Sequence, residues 1–213
     1  MTEEKEIKKE WKDFFKGWSV ANTVKIQYWF IKEILNVTDE NSQLLELGAG
    51  SGYTAVAVRF SNRRGVIASD LDLDVVSGIQ SIGSGIDVRS IDMFDIKLPD
   101  GSLDCIFHQG VLEHFSDEQI VDTLREQSRV AKWVVFDIPN GRRFNRTREH
   151  GDERFMMVRS WKKLIKRSGL KLEKVEGRRM QFPFRWLPAF MGDSRWGRKL
   201  FGTSSIFVCR SSE

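Results

Sequence analysis

The stretch Leu44–Phe60, LLELGAGSGYTAVAVRF, is apolar, then glycine-rich, then apolar again at helical spacing. A short apolar run that ends at a glycine reads as a buried strand, and the spacing after Gly52 reads as a helix. Gly48, Gly50 and Gly52 form the turn between them. Glycine there permits a tight turn and lets a ligand approach the backbone with no Cβ in the way. Two phosphate-binding readings fail on the following residues. A P-loop needs a Lys-Ser/Thr pair after the glycines, but Tyr53 and Thr54 stand there. The dinucleotide fingerprint GxGxxG needs its third glycine where Tyr53 is.

Outward from this unit, strands and helices alternate. GVIASD (65–70), IDVRSID (86–92), SLDCIFHQ (102–109) and KWVVFDIP (132–139) read as further strands. Helices are expected over 71–83, from Ser116 through SDEQIVDTLREQSRVA, and over 160–169, where Gly169 ends an amphipathic run. LKLEKVEGRR (170–179) alternates as a strand, and SSIFVCR (204–210) supplies the last one. The alternation predicts a doubly wound, Rossmann-like α/β sheet. Two helices are expected ahead of it, over 3–16 and 22–36. No internal repeat or low-complexity linker interrupts the 213 residues, which suit a single domain.

Composition narrows the function classes. No run of about 18 apolar residues spans a membrane, and the charged start MTEEKEIKKEW carries no secretory signal. Cys105 and Cys209 form no CxxC pair and no disulfide framework, so a reduced, cytoplasmic setting is expected and no metal ligands are assigned. Charge is uneven: 15 Lys+Arg against 23 Asp+Glu through Ile138, then 19 against 7 from Pro139 onward. That basic second half either meets an anionic partner or is a solvated surface.

Two carboxylates extend the glycine turn. Asp70, 18 residues beyond Gly52, ends the second strand, where an acid can accept both hydroxyls of a ribose. Asp92 sits just past the third strand and can take adenine amino hydrogens, with Met93 and Phe94 as an apolar surface for the ring.

LLELGAGSG, VIASDLD, IDMFD, LPDGSLDCIFHQGVLEHFSDE and WKKLIKRSGLKLEKVE, in that order across roughly residues 40–180, resemble successive motifs of class I S-adenosylmethionine-dependent methyltransferases. The resemblance implies S-adenosyl-L-methionine as cofactor and a seven-stranded sheet, mostly parallel, with the last strand antiparallel. It implies that Glu46 and the Gly48–Gly52 turn hold the methionine part, and that Asp70 takes the ribose with Leu71 beside the adenine. Asp92 and Met93 then hold the adenine edge, while Gln109, Gly110 and Val111 line the sulfonium. On this division, residues 1–38 form a lid or pocket, 39–140 the cofactor core and 141–213 the acceptor side and last sheet elements.

The acceptor is less legible. His114, in VLEHF, is the candidate base, because histidine titrates near neutral pH; the alternative is a helix cap. Glu113 can orient it. His108, inside a strand, reads as packed, and His150 as a loop residue. Trp18, Tyr28, Trp29 and Trp186 are the candidate acceptor contacts. No NPPY-like motif follows the fourth strand, where HQGVLEH stands, and this departure leans toward a small-molecule acceptor over an exocyclic amine of a base. Nucleic acid and a membrane surface are the other partners weighed for the basic, aromatic segment 180–201. An NAD(P)-dependent oxidoreductase and a non-catalytic cofactor-binding protein are the alternative classes.

Overall fold

The computed structural model describes residues 19–61, 63, 65–82, 85–139, 153–177 and 204–212. Strand β1 (Gln43–Leu47) lies in the interior of a seven-stranded sheet of order β3-β2-β1-β4-β5-β7-β6. Its residues from Leu44 to Leu47 are all buried, as a strand covered on both faces must be. It pairs in parallel with β2 (Gly65–Ser69), Leu45 opposite Ile67, and with β4 (Leu103–Gln109), Leu45 opposite Ile106. β3 (Asp87–Arg89) is the parallel edge, and β5 (Ala131–Pro139) continues the parallel set beyond β4. The last strand, β7 (Ser204–Arg210), inserts antiparallel between β5 and β6 (Lys171–Gly177), with Phe136 opposite Phe207.

Alternate residues of each strand feed two cores, because successive side chains point to opposite faces. Leu45, Leu47, Ile106, Val134 and Phe136 join one core with helices α4 (Asp117–Val130) and α5 (Val158–Ser168). Leu44, Val66, Cys105, Phe107 and Val135 join the other. That second face is covered by α1 (Val20–Asn36), α2 (Tyr53–Phe60) and α3 (Leu73–Ser81). Helix α1 lays Phe30, Ile31 and Ile34 onto it, with Phe30 6.3 Å from Phe107.

Local chemistry sets the boundaries. Ser116 and Gln119 form a capping box at the start of α4. Asp72 accepts from the Asp74 N–H and so caps α3, which therefore starts at Leu73 and not at Leu71. Ser19 caps α1, which begins two residues ahead of the expected Asn22. The strand expected over 86–92 is only three residues long, at one edge of the sheet. The helix expected over 3–16 and the aromatic segment 180–201 lie outside the described residues. Among the described residues, no helix is long and apolar enough to cross a membrane.

Candidate active site

The three glycines of the first turn all have positive φ, +60° at Gly48, +52° at Gly50 and +71° at Gly52. Two of them also answer to packing. A Cβ at Gly48 would lie 2.8 Å from Val111 Cγ2, and one at Gly52 would lie 2.6 Å from Ile79 Cγ2. The turn is thus pressed against the end of β4 on one side and against α3 on the other. Hydrogen bonds complete the seam to β2. The Ala49 N–H donates to the Ser69 carbonyl at 2.8 Å, and the Gly50 N–H to Asp70 Oδ2 at 3.1 Å. The other Asp70 oxygen accepts from the Asp72 N–H at 3.1 Å. Each carboxylate oxygen keeps further acceptor capacity for an incoming hydroxyl.

Glu46 plays a part that its sequence position does not announce. It is buried at the end of β1, and its Oε2 accepts the Ala55 N–H at 2.8 Å. It therefore caps α2, whose N-cap residue Gly52 has no side chain to do so. Burial pushes its carboxyl up to about 8, against the hydrogen bonds it shares with Ala55 and Thr54, so the group is protonated at neutral pH. Thr54 in turn donates to Gln27 Oε1 of α1 at 2.5 Å. One helical turn before Gln27, Thr23 is buried, and its hydroxyl has no hydrogen-bond partner among the described residues.

Beyond β3, the Asp92 side chain accepts the Phe94 N–H at 2.9 Å, a local turn that leaves Asp92 exposed. Met93 is buried, and its carbonyl accepts the Thr123 hydroxyl at 2.9 Å. Thr123 accepts from Gln127 Nε2 at 3.4 Å, and His108 Nε2 lies 3.2 Å from Gln127 Oε1, which places the histidine proton on Nε2. His108 stacks on Phe136 at 5.4 Å, and burial lowers its pKa to about 4. It is a packed, neutral residue. Leu71 is 61% exposed beside Asp70.

At the end of β4, Gln109 Nε2 donates to Asp137 Oδ2 at 2.9 Å, and the Gly110 N–H to the Asp137 carbonyl at 3.0 Å. A short 3₁₀ turn, Leu112–His114, follows. There the structure adds a residue that sequence reading missed. Glu113, His114 and Glu153 bring one ligand-capable atom each within 4.8 Å of one another. No spacing rule joins positions some 40 residues apart in sequence. Gln27, Thr54 and Asp137 were missed for the same reason. Of the candidate acceptor contacts, Tyr28 is half exposed, with its ring 5.1 Å from that of Trp29. Trp29 packs against the second core and faces Lys32 at 5.1 Å. Trp18 and Trp186, like His150, lie outside the described residues.

Comparison with known proteins adds an independent line. The family described as "Methyltransferase domain" matches residues 45–133. A probable S-adenosylmethionine-dependent methyltransferase of Mycolicibacterium smegmatis is 28% identical over 105 residues, 47% of this chain and 40% of its own. A second, from Mycobacterium tuberculosis, is 33% identical over 89 residues, 42% of this chain and 31% of its own. The chain thus spans well under half the length of these curated relatives. Among solved structures, a complex of the Haloferax volcanii Trm112 methyltransferase activator with a putative methyltransferase shares the fold at a TM-score of 0.71. The identity is 15%, covering 96% of this chain and 98% of that one. The glycine turn between β1 and α2, the strand order and the match over residues 45–133 thus make this chain similar to S-adenosylmethionine-dependent methyltransferases across its central sheet.

Proposed function

We propose that this chain transfers the methyl group of S-adenosylmethionine to an oxygen, nitrogen or carbon nucleophile of a small or medium-sized acceptor. One observation carries the reading: the ends of β1, β2 and β4 are knit into a single seam. Asp70 holds the Gly50 N–H, and Gly48 packs against Val111. A ligand bound outside these strand ends meets the turn, Asp70 and the β4 loop together. Asp70 then takes the ribose hydroxyls, with Leu71 beside the adenine and Asp92–Met93 at its edge. The glycine turn, whose helix Glu46 caps, takes the methionine part. The buried Thr23 hydroxyl offers one further partner. Gln109, Gly110 and Val111 surround the sulfonium.

A sulfonium methyl is already electrophilic, so the protein's task is alignment. Holding a nucleophile in line near 3 Å from the methyl can supply about 7–11 kcal/mol. The Glu113–His114–Glu153 cluster, one short turn past Val111, is where an acceptor proton would leave. Tyr28 and Trp29 of α1, with Trp18 and Trp186, serve as the acceptor wall.

Calorimetry with S-adenosylhomocysteine and with NAD(P)H tests the cofactor: the first is expected to bind and the second not. Asp70→Ala is expected to weaken S-adenosylhomocysteine by about 1.5–3 kcal/mol, the worth of a charge-assisted hydrogen bond. Methyl-labelled cofactor offered to a small-metabolite extract, RNA and DNA tests the acceptor, with labelling expected in the metabolites. A second reading has one observation in its favour: Arg159, Lys162, Lys163, Lys166 and Arg167 are all exposed on α5. If a nucleic acid is the acceptor, its labelling collapses between about 50 and about 200 mM salt, as counterion release requires. Salt-sensitive labelling of RNA or DNA alone would overturn the small-molecule reading.

A further inference from the structure

We propose that Glu113, His114 and Glu153 form a binding site for one divalent cation, and that the cation holds the oxygen of the methyl acceptor. The role, though not the site, rests on the methyl-transfer reading above.

The donor set comes first. Two carboxylates and one imidazole each bring a ligand-capable atom within 4.8 Å of the other two. Carboxylate oxygens suit Mg²⁺ and Mn²⁺, imidazole suits Zn²⁺ and its neighbours, and a mixed set of this kind suits Mn²⁺ or Zn²⁺. Glu113 is only 2% exposed. A carboxylate buried this deeply meets little competition from water for a cation, which would join the interactions it already makes.

The site is also held in place by backbone. Glu113 and His114 belong to the 3₁₀ turn that leaves β4. Glu153 arrives from a distant segment and is strapped to that turn by its neighbour. The Arg154 N–H donates to the Glu113 carbonyl at 2.9 Å. The Arg154 guanidinium donates to the Phe115 carbonyl, and at 2.5 Å to Asp117. This strap fixes the ligand positions. A Cβ at Gly110 would lie 3.6 Å from Glu113 Oε1. The carboxylate therefore folds back beneath the loop that contains Gln109, Gly110 and Val111.

Three protein ligands leave coordination positions open for water or substrate, as catalytic cation sites do. An acceptor hydroxyl that takes an open position loses its proton to solvent more readily, because the cation stabilises the resulting oxyanion. The oxygen then attacks the methyl carbon, the C–S bond breaks, and its electron pair stays on sulfur. One hydroxyl and one S-adenosylmethionine give one methyl ether, one S-adenosylhomocysteine and one proton. The acceptor class is thereby narrowed to a hydroxyl or phenol oxygen, and His114 serves as a ligand.

The test is binding, read apart from catalysis. Full-length protein is freed of metal with a chelator, then titrated with Mn²⁺ by electron paramagnetic resonance and with Zn²⁺ by calorimetry. Saturable one-to-one binding of either ion is expected, weakened about ten-fold or more in Glu153→Gln and His114→Ala. Glu153 is partly exposed, so its variant keeps the test valid if Glu113→Gln fails to fold. S-adenosylhomocysteine binding is measured on the same samples. Its loss in the wild type would sink the methyltransferase reading and leave the cation result standing. The cation proposal is overturned if neither ion binds one-to-one, or if binding persists unchanged in both variants.

Discussion

Gly50 and Glu46 show how much one position in the first turn decides. At φ +52° an L side chain is strained, and a β-branched one most of all. Gly50→Ala is expected to lose part of its affinity for S-adenosylhomocysteine and Gly50→Val nearly all of it. Normal binding by the valine variant would show that the glycine serves only the strand–helix connection. Glu46 carries a pH signature. Folded, it keeps its proton to about pH 8; its ordinary value is 4.5. The folded state therefore binds the extra proton, and stability falls as pH rises through that window. His108 acts in the opposite sense. Its folded value of about 4 lies below the ordinary 6.5, so it adds stability as pH rises between them. From pH 6.5 to 8 Glu46 acts without that opposition, and one proton is worth about 1.4 kcal/mol per pH unit. Glu46→Gln is expected to remove this share of the slope, as read by urea denaturation at pH 6.5, 7.25 and 8. An unchanged slope would mean that Glu46 is already ionised at pH 7.

At the scale of elements, the Asp92–Met93 loop is set by a helix that carries none of the candidate site residues. Thr123 of α4 holds the Met93 carbonyl, and Gln127 and His108 continue the polar line into the sheet. Thr123→Val keeps the shape and removes the donor. The Met93 carbonyl and the Gln127 amide then each lose a partner, at about 1–3 kcal/mol for a buried unsatisfied group. Denaturation should show that loss, and S-adenosylhomocysteine affinity should fall as the Asp92–Met93 loop loosens. If stability drops while affinity holds, the loop is fixed by Asp92's own turn and not by α4.

For the whole molecule, the question is how the N-terminal helix is held. Helix α1 reaches the opposite end of the sheet through Glu33, which is 4% exposed and accepts Lys174 Nζ of β6 at 2.8 Å on both oxygens. Glu176 lies 3.4 Å from the same ammonium. Lys174→Ala leaves two buried carboxylates without this cation and is expected to cost about 1–3 kcal/mol. Adding Glu33→Gln should recover part of the loss in thermal or urea denaturation. No recovery would mean that Lys174 works by covering apolar surface with its stem.

The sequence by itself determined the sheet and the place of the glycine turn. Periodicity is a local property: LLEL, GVIAS and SSIFVCR announce buried strands because each must bury its residues whatever its neighbours are. Asp70 was legible too, because a strand-end acid at a fixed distance from a glycine turn is set by one strand–helix–strand unit. What only the tertiary structure decided are the pairings across units. That Gly48 answers to Val111, that Glu46 caps α2 and ties through Thr54 to Gln27, and that Glu153 comes to His114 depend on how separate segments fold together. No sequence spacing encodes a contact between residues brought together by packing, so these partners became visible only when the sheet had closed around them.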